Sequence, residues 1–532
     1  MSKRVSVVAF VAVVMLQSLL PAAATDDPVQ SLSVYDLNSS LVYVGLDDAG
    51  TATAAWSEVG ALTVARRPEG GKFVEPQTIA TAHVSEASLD VAPNGKAVLA
   101  FSGGMVGGEL MVAVRRNARG DFGRPQVLVP EGDPSRVVEP EAKVSESGRA
   151  VVVWTSETTG EPPSIMAALS DSAGSFGTPA AVATGPDVHN AQVDVDASGR
   201  AFAVWDHTEA GTPHEIVGAA AGTTGGFGAP QVLETLEQGP GAPDVAVNAS
   251  GAAMVAHVDF TSEGEGESRD KVEARYGSVN GTFGASQNVT DTSVPTAASE
   301  VEVAIDDGGR AAVLSSLTVR SEYGLYASVS DPSGSFAAGS LQAVSPHERV
   351  TGPGIPRRSY EIAAGGGEFT AFWVNDHDDG TLNETWTATT ANGTFGSAHQ
   401  LSPEVEEDSP DRVHGARNAD GDVAGAWLLF VDGMKAQVTP VSSGPDPIFG
   451  DDGDDTLTGT SAGEQIWAAK GNDSAKGGGG GDQIFGEQGR DTLVGGPGLD
   501  SFDGGPGRDV CVLSSNAEKG RTKSCERIRV RR

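Results

Sequence analysis

An acidic residue recurs at every ninth position near the C-terminus of the chain, within a glycine-rich frame. The nonapeptides begin at Gly450, Gly459, Ala468, Gly477, Gly486, Gly495 and Gly504. The acids stand at the sixth positions, as Asp455, Glu464, Asp473, Asp482, Asp491, Asp500 and Asp509. Glycine turns leave room for backbone carbonyls to point inward, and the carboxylates supply negative charge. Hard cations such as Ca²⁺ want several oxygen ligands, so this spacing predicts calcium binding.

The eighth positions of the same nonapeptides are apolar or small: Leu457, Ile466, Ala475, Ile484, Leu493, Phe502 and Cys511. Together the two patterns closely resemble the haemolysin-type, or RTX, calcium-binding repeat Gly-Gly-x-Gly-x-Asp-x-apolar-x over residues 450–512. In that family two nonapeptides make one turn of a parallel β-roll, with the apolar side chains inside and calcium held between stacked glycine turns. The resemblance implies that Ca²⁺ is bound by Asp455, Asp473, Asp482, Asp491, Asp500 and Asp509, together with the turn glycines Gly478, Gly480, Gly496 and Gly498.

Stacking of alternate repeats would bring these acids together in pairs. The expected pairs are Asp455 with Asp473, Asp473 with Asp491, Asp491 with Asp509, and Asp482 with Asp500. The second and third repeats depart from the pattern, at Ala462-Gly463-Glu464 and Ala468-Ala469-Lys470. Residues 450–512 carry 12 acidic against 4 basic side chains, so the segment should repel itself open without a cation. A flexible linker is the alternative, but a linker has no reason to keep Asp in phase.

Cys511 and Cys525 are the two cysteines of the chain. In an exported protein such a pair predicts a disulfide, and closing a loop of about 15 residues stabilises a fold by roughly 3 kcal/mol. The bond would hold the tail, residues 513–532, over the open end of the roll. That tail has seven Lys and Arg against two Glu. It is therefore expected to be a basic cap on the acidic roll; the alternative is a free tail that binds a cell-surface polyanion.

A longer repeat fills residues 25–443. Eight glycines end tight turns, and a large side chain follows six residues after most of them, as in Gly199 and Trp205. The glycines are Gly50, Gly95, Gly148, Gly199, Gly251, Gly309, Gly367 and Gly421. Seven units then carry Gly-x-Phe before a further strand. Four strands per repeat at a period near 50 predict an all-β fold, an eight-bladed β-propeller, followed after a linker at 444–449 by the parallel β-roll.

The eighth unit lacks Gly-x-Phe and a fourth strand. Residues 28–34 read like the fourth strands of other units, so we expect this N-terminal strand to complete the last blade and close the ring. His257 and Ser315 stand where other units have an aromatic residue, and both are interpreted as structural variants. The turn at Asp196 has no Glu at the twelfth position of a calcium loop, which favours turn capping over calcium.

Residues 1–24 have the basic start, apolar run and small-residue end of a secretory signal peptide. No later stretch approaches the roughly 20 apolar residues of a membrane span. The formal net charge of −36 disfavours nucleic acid as a partner and favours cations. The expected location is therefore extracellular, with calcium as cofactor.

The loops between second and third strands, and the links between units, vary most in length. Because successive strands are antiparallel, both sets should emerge at one rim of the ring, which we call the variable rim. It is the expected binding face for an extracellular glycan or protein. The alternative is a hydrolase or lyase of extracellular polysaccharide, for which Asp206-His207 and residues 376–379 offer acidic and His side chains. The ring somewhat resembles sialidase-like propellers, but it departs from their Ser-x-Asp-x-Gly-x-x-Trp box.

Overall fold

The computed structural model describes most of the chain between residues 30 and 530. The described ranges are 30–31, 41–58, 61–67, 73–80, 84–103, 109–115, 120–130, 132–208, 213–236, 239, 241–260, 262–263, 267–268, 270–290, 296–319, 322–345, 349–350, 360–376, 384–396, 398–401, 409–430, 434–438, 448–449, 453–460, 465–468 and 470–530. The predicted signal peptide, residues 1–24, lies outside them. Within these ranges, no helix has both the length and the apolar character needed to cross a membrane.

Eight antiparallel sheets follow one another in the described residues, and each corresponds to one long repeat. The first four blades are Val42–Leu46, Ala52–Glu58, Ala61–Arg67 and Val74–Ala80; Val84–Val91, Ala97–Gly103, Glu109–Arg115 and Gln126–Val129; Ser135–Val144, Ala150–Thr158, Ser164–Leu169 and Ala180–Thr184; and Val188–Val195, Ala201–His207, His214–Ala221 and Gln231–Leu236.

The last four blades keep this order, but the fourth strand of the fifth blade and the first and fourth strands of the seventh blade are each divided into two short strands. They are Asp244–Val247, Ala252–Asp259, Lys271–Ser278, Thr282–Phe283 and Gln287–Asn288; Thr296–Ile305, Ala311–Val319, Glu322–Val329 and Gln342–Ala343; Arg349–Val350, Tyr360–Gly365, Glu368–Asp376, Glu384–Ala391, Thr394–Phe395 and His399–Gln400; and Ser409–Arg417, Val423–Phe430, Met434–Val438 and Gln30–Ser31. A short hairpin, Ser262–Glu263 with Glu267–Ser268, extends from the fifth blade.

The turn between the first and second strands of each blade explains why a glycine recurs there in every repeat. Each of the eight repeat glycines has a positive φ, for example 87° at Gly199, a conformation that other residues rarely adopt. At Asp196, Oδ1 accepts the backbone N–H groups of Ser198 and Arg200, and the second carboxylate oxygen accepts the Nε–H of Arg200. The acid therefore caps the turn, as the sequence indicates.

The second strand of each blade is buried on both faces. Trp154, Trp205, Trp373 and Trp427 are at most 1% exposed, and each packs against the preceding blade. Apolar clusters fill all eight gaps between neighbouring blades, including the gap between the last blade and the first. His257 and Ser315 are buried at the equivalent positions, 1% and 2% exposed. The eight blades therefore form a closed propeller.

The ring is also closed by backbone pairing. Gln30 pairs with Val438 and Ser31 with Gln437, antiparallel, so that an N-terminal strand becomes the fourth strand of the last blade. This is the closure that the incomplete eighth unit predicts.

A glutamine clasp joins neighbouring blades and has no counterpart in the sequence prediction. The side-chain amide of Gln77, in the fourth strand of the first blade, donates to the carbonyl of Phe122 and accepts the N–H of the same residue at 2.8 and 2.9 Å. Gln126 makes the same pair of bonds with Phe176. Gln287 and Gln342 likewise contact the Gly-x-Phe turns of the following blades. The Gly-x-Phe turn is thus a contact between blades as well as a turn.

After the propeller the chain forms two parallel sheets of five strands each. One contains Ile448–Phe449, Gln465–Trp467, Gln483–Phe485, Ser501–Asp503 and Thr522–Lys523; the other contains Thr456–Thr458, Ser474–Lys476, Thr492–Val494, Val510–Leu513 and Arg527–Val530. Lys470–Gly471 pairs with Gln488–Gly489 at one edge, and Asn516–Arg521 is a 3₁₀ helix. The eighth-position side chains form the core between the sheets. Pairing begins at Ile448, inside the expected linker, and continues through the tail to Val530.

We predict that deletion of residues 25–34 lowers the melting temperature of the propeller by several degrees, because the last blade loses a strand and gains an exposed edge. Thermal unfolding followed by circular dichroism in excess calcium tests this. Substitution of both Gln30 and Ser31 by Ala keeps the backbone pairing and serves as the control. An unchanged melting temperature in the deletion variant would contradict the closure.

Candidate metal centre

The aspartates of the nonapeptides stack in two columns on opposite sides of the roll. In each column the backbone N–H of one aspartate donates to Oδ1 of the aspartate 18 residues later. The bonds run from Asp455 to Asp473 at 2.7 Å, Asp473 to Asp491 at 2.9 Å, Asp491 to Asp509 at 2.9 Å, and Asp482 to Asp500 at 3.0 Å. These are the pairs that the nine-residue spacing predicts, because two repeats make one turn of the roll.

Burial makes these carboxylates unusual. Asp491, Asp500 and Asp509 are 0% exposed, and Asp473 and Asp482 are almost as deeply buried. Oδ2 of Asp491 and Oδ2 of Asp509 have no hydrogen-bond partner among the described residues. A buried carboxylate oxygen without a partner is costly, and a bound cation removes that cost. The donor set therefore fits a calcium ion.

The turn glycines stack so closely that side chains are excluded. A Cβ on Gly498 would overlap the carbonyl oxygen of Gly480, and one on Gly496 would overlap that of Gly478. Gly478, Gly480 and Gly496 also have positive φ angles, of 107°, 97° and 114°. Gly478 and Gly496 need glycine for both reasons, Gly480 for its φ and Gly498 for the lack of space. Backbone carbonyls therefore stack beside the column of Asp482 and Asp500.

The electrostatics of the columns also favour a cation. Burial raises the pKa of Asp491 to about 7, and the charges of Asp473, Asp509 and Glu487 contribute to that rise. Burial also raises the pKa of Asp509, to which the neighbouring Glu526 contributes. Like charges are thus held together in a low-dielectric site, and a divalent ion would stabilise their ionised forms.

The side chains alone do not make a metal centre. No group of three His, Cys, Asp or Glu side chains in the described ranges is placed to hold a metal ion. Turn carbonyls would have to supply the remaining ligands, as the resemblance implies. Asp455 is only half-buried at the N-terminal end of its column, and Glu464 lies outside the described residues.

Cys511 and Cys525 form a disulfide, with their Cα atoms 5.9 Å apart. The tail beyond it does more than cap the roll, because Thr522–Lys523 and Arg527–Val530 add a strand to each sheet. Glu526 then accepts the backbone N–H of Asp509 at 2.7 Å. Glu526 was not predicted from the sequence as a member of this column. Its position 17 residues after Asp509, one short of the regular 18, was the available signal.

The propeller encloses a central channel of about 880 Å³, lined by the first strands of all eight blades. Several of its carboxylates accept a backbone N–H from the next blade. The bonds link Glu86 to Glu139, Asp90 to Val144, Asp194 to Val247, Asp244 to Val303 and Glu361 to Gly415, at 2.6–2.8 Å. Sequence reasoning missed this role, because these acids do not share one repeat position.

Lys143 lies among channel carboxylates of the second to fifth blades. Burial acts to lower its pKa, but Glu141, Asp90, Asp194 and Asp244 together raise it. Burial raises the pKa of Asp194 to about 7, against the opposing attraction of Lys143. The same cause raises the pKa of Asp244 to about 6. The channel therefore contains carboxylates whose ionisation opposes folding.

At the variable rim, the acidic and His side chains of the fourth blade form separate pairs. Nε2 of His189 lies 3.0 Å from Oδ1 of Asp187, and Nδ1 of His207 lies 3.5 Å from Oε2 of Glu215. Nδ1 of His214 lies 2.6 Å from the hydroxyl of Thr208. The other candidate cluster is residues 376–379. Asp376 is the last residue of a strand, and residues 377–379 lie outside the described ranges.

A protein-family model matches the C-terminal region that forms the roll. Residues 441–475 and 476–511 match the model of the RTX calcium-binding nonapeptide repeat. The C-terminal region of this chain therefore carries RTX calcium-binding repeats. No curated protein matches the chain by sequence.

Solved structures that resemble the chain include several propellers. The BP39L lectin from Burkholderia pseudomallei is 12% identical, with 69% of this chain and 100% of the lectin covered and a TM-score of 0.46. The propeller domain of the Trilobed protease from Pyrococcus furiosus is 10% identical, with 69% and 97% covered and a TM-score of 0.39. A mutant of the NanB sialidase from Streptococcus pneumoniae is 7% identical, with 78% and 93% covered and a TM-score of 0.36.

A pH dependence follows from Asp194. Its pKa of about 7 in the folded chain lies above its ordinary value of 3.8, so the folded state holds the extra proton between these values. Stability is therefore lost as pH rises through this window. We predict that Asp194→Asn, which keeps an acceptor for the N–H of Val247 but not for that of Val195, gains on the order of 2 kcal/mol relative to wild type between pH 5 and pH 8.

Denaturant unfolding of both proteins at pH 5 and pH 8, in excess calcium, measures this difference. Glu161→Gln, at an exposed loop, controls for the change in net charge. A free-energy difference between wild type and Asp194→Asn that stays constant with pH would contradict the prediction.

Proposed function

We propose that the protein is a secreted calcium-binding protein whose propeller is a binding or adhesion module for an extracellular glycan or protein. The roll would bind Ca²⁺ through Asp455, Asp473, Asp482, Asp491, Asp500 and Asp509 with the carbonyls of the glycine turns. The calcium assignment is carried by Oδ2 of Asp491 and Oδ2 of Asp509, which are fully buried inside RTX repeats and have no hydrogen-bond partner in the described part of the chain. Calcium would supply positive charge and coordination there, and these residues would hold it.

The proposed organisation is a propeller over residues 25–443 and a roll from about residue 450, preceded by a cleaved signal peptide at 1–24. Export is consistent with the disulfide Cys511–Cys525, since such bonds persist in oxidising compartments. It is also consistent with calcium, which a roll carrying so many carboxylates needs for its stability.

The channel favours binding over catalysis. Its carboxylates Asp90, Asp194 and Asp244 each accept a backbone N–H from the adjacent blade, which gives them a structural role. A hydrolase or lyase needs an acid and a base free to act on a substrate. The loops of the variable rim, such as exposed residues 159–162, are free of that structural role and are our proposed contact surface.

We predict that replacing Asp482, Asp491 and Asp500 together by Asn lowers the calcium affinity of the full chain at least tenfold, because three buried anionic ligands are lost. Isothermal titration calorimetry of chelator-treated protein measures it, and circular dichroism follows the coupled gain of β-structure. Glu157→Gln, Glu161→Gln and Asp187→Asn, combined on the propeller, remove the same charge. Equal affinities in both triple variants would refute the assignment of the ligands.

For the propeller, a glycan array probed with the full chain in calcium is the first test, followed by incubation with extracellular polysaccharides and measurement of released ends. We predict binding without cleavage, and loss of binding when the 159–162 loop is replaced by Gly-Ser residues. Release of new reducing or unsaturated ends would favour the hydrolase or lyase instead.

A further inference from the structure

The aspartate column of the roll does not end with the last nonapeptide. Oε2 of Glu526 accepts the N–H of Asp509 at 2.7 Å, as Oδ1 of Asp509 accepts the N–H of Asp491 at 2.9 Å. Glu526 therefore occupies the next place in the column formed by Asp455, Asp473, Asp491 and Asp509. It lies outside the residues that match the RTX repeat, which end at 511.

Two independent constraints hold Glu526 opposite Asp509. Arg527–Val530 pairs in parallel with Val510–Leu513, so that the residues following the two acids are in register. The disulfide joins Cys511, two residues after Asp509, to Cys525, directly before Glu526. The two carboxylates are therefore positioned by covalent and backbone contacts, whatever their charge.

This position places the buried carboxylate of Asp509 beside the exposed carboxylate of Glu526. Oδ2 of Asp509 is buried without a partner in the described residues, and Asp509 is 0% exposed. Oε2 of Glu526 accepts the backbone N–H of Asp509, which brings its carboxylate to the same turn as that of Asp509, and both groups are acceptors when ionised. A cation bound between them would satisfy the buried oxygen and offset the repulsion.

We propose that Asp509 and Glu526 share a calcium ion, making Glu526 a metal ligand outside the nonapeptide repeats. This inference rests on the proposed calcium function. It adds a site to which the C-terminal tail contributes one ligand. Residues 524–526 replace the first six residues of a nonapeptide, and they contain no glycine. The carbonyl of Ser524 lies under Gly504, where a Cβ on that glycine would overlap it. With fewer turn carbonyls, this site should be the weakest of its column.

The test counts calcium ions on the full, disulfide-intact chain by equilibrium dialysis with ⁴⁵Ca²⁺. Glu526→Gln keeps an oxygen that can accept the N–H of Asp509 and removes the charge, so we expect one ion fewer per chain. Asp503→Asn is the control from the same region, because Asp503 pairs with Lys523 at 2.6 Å and lies outside the column. It should leave the number of ions unchanged.

Glu526→Asp keeps the charge on a shorter side chain. We expect it to retain the number of ions with an affinity for the last one reduced about tenfold, which also covers the case in which Glu526→Gln fails to fold. An ion count in Glu526→Gln, or an affinity in Glu526→Asp, equal to wild type would overturn the assignment and leave Glu526 a backbone cap. Wild-type protein that binds no calcium would overturn the proposed function as well.

Discussion

Each blade contains a strand that is apolar on both faces, and no blade can cover that strand alone. Phe202 and Val204 pack toward the fifth blade, while Ala203 and Trp205 pack toward the third. Each of these strands needs a neighbouring blade on both sides, and only a closed ring of blades provides this. The closed ring, the seam at which Gln30–Ser31 pairs with the last blade, and the central channel all follow from this requirement.

The chain uses buried carboxylates in two physically different ways. In the channel, Asp194 and Asp244 satisfy backbone N–H groups of neighbouring blades, and Lys143 offsets part of their charge. In the roll, Asp491 and Asp509 each accept one backbone N–H with one carboxylate oxygen, and the other oxygen has no partner among the residues that the structure describes. The channel carboxylates thus have partners within the chain, whereas the roll leaves buried oxygens that a cation would satisfy.

Periodicity accounts for what the sequence could predict. The glycine at 199 and its seven equivalents, the eighth-position apolar side chains and the stacked aspartates all recur at fixed intervals, so neighbouring copies confirm one another. Features that lack a regular position, or whose partner lies in the next blade, were missed. The channel acids do not all share one position in the repeat. Gln77 stands four residues after Phe73 of its own Gly-x-Phe turn, but its partner Phe122 is 45 residues further on, in the next blade. Glu526 was missed because the cap replaces a six-residue turn with three residues, which breaks the repeat that revealed the other acids.

The seam of the propeller joins residues about 400 positions apart, since Gln30 pairs with Val438. During synthesis the earliest strand must therefore remain without its partner until the last blade has left the ribosome. Seven blades can form in sequence, each on its predecessor, but the eighth must recruit the beginning of the chain. The entropy of closing so long a loop is therefore lost when the seam pairs, and it grows only slowly with the length of the loop. The roll begins only ten residues after this seam, so its synthesis and the closure of the ring overlap in time.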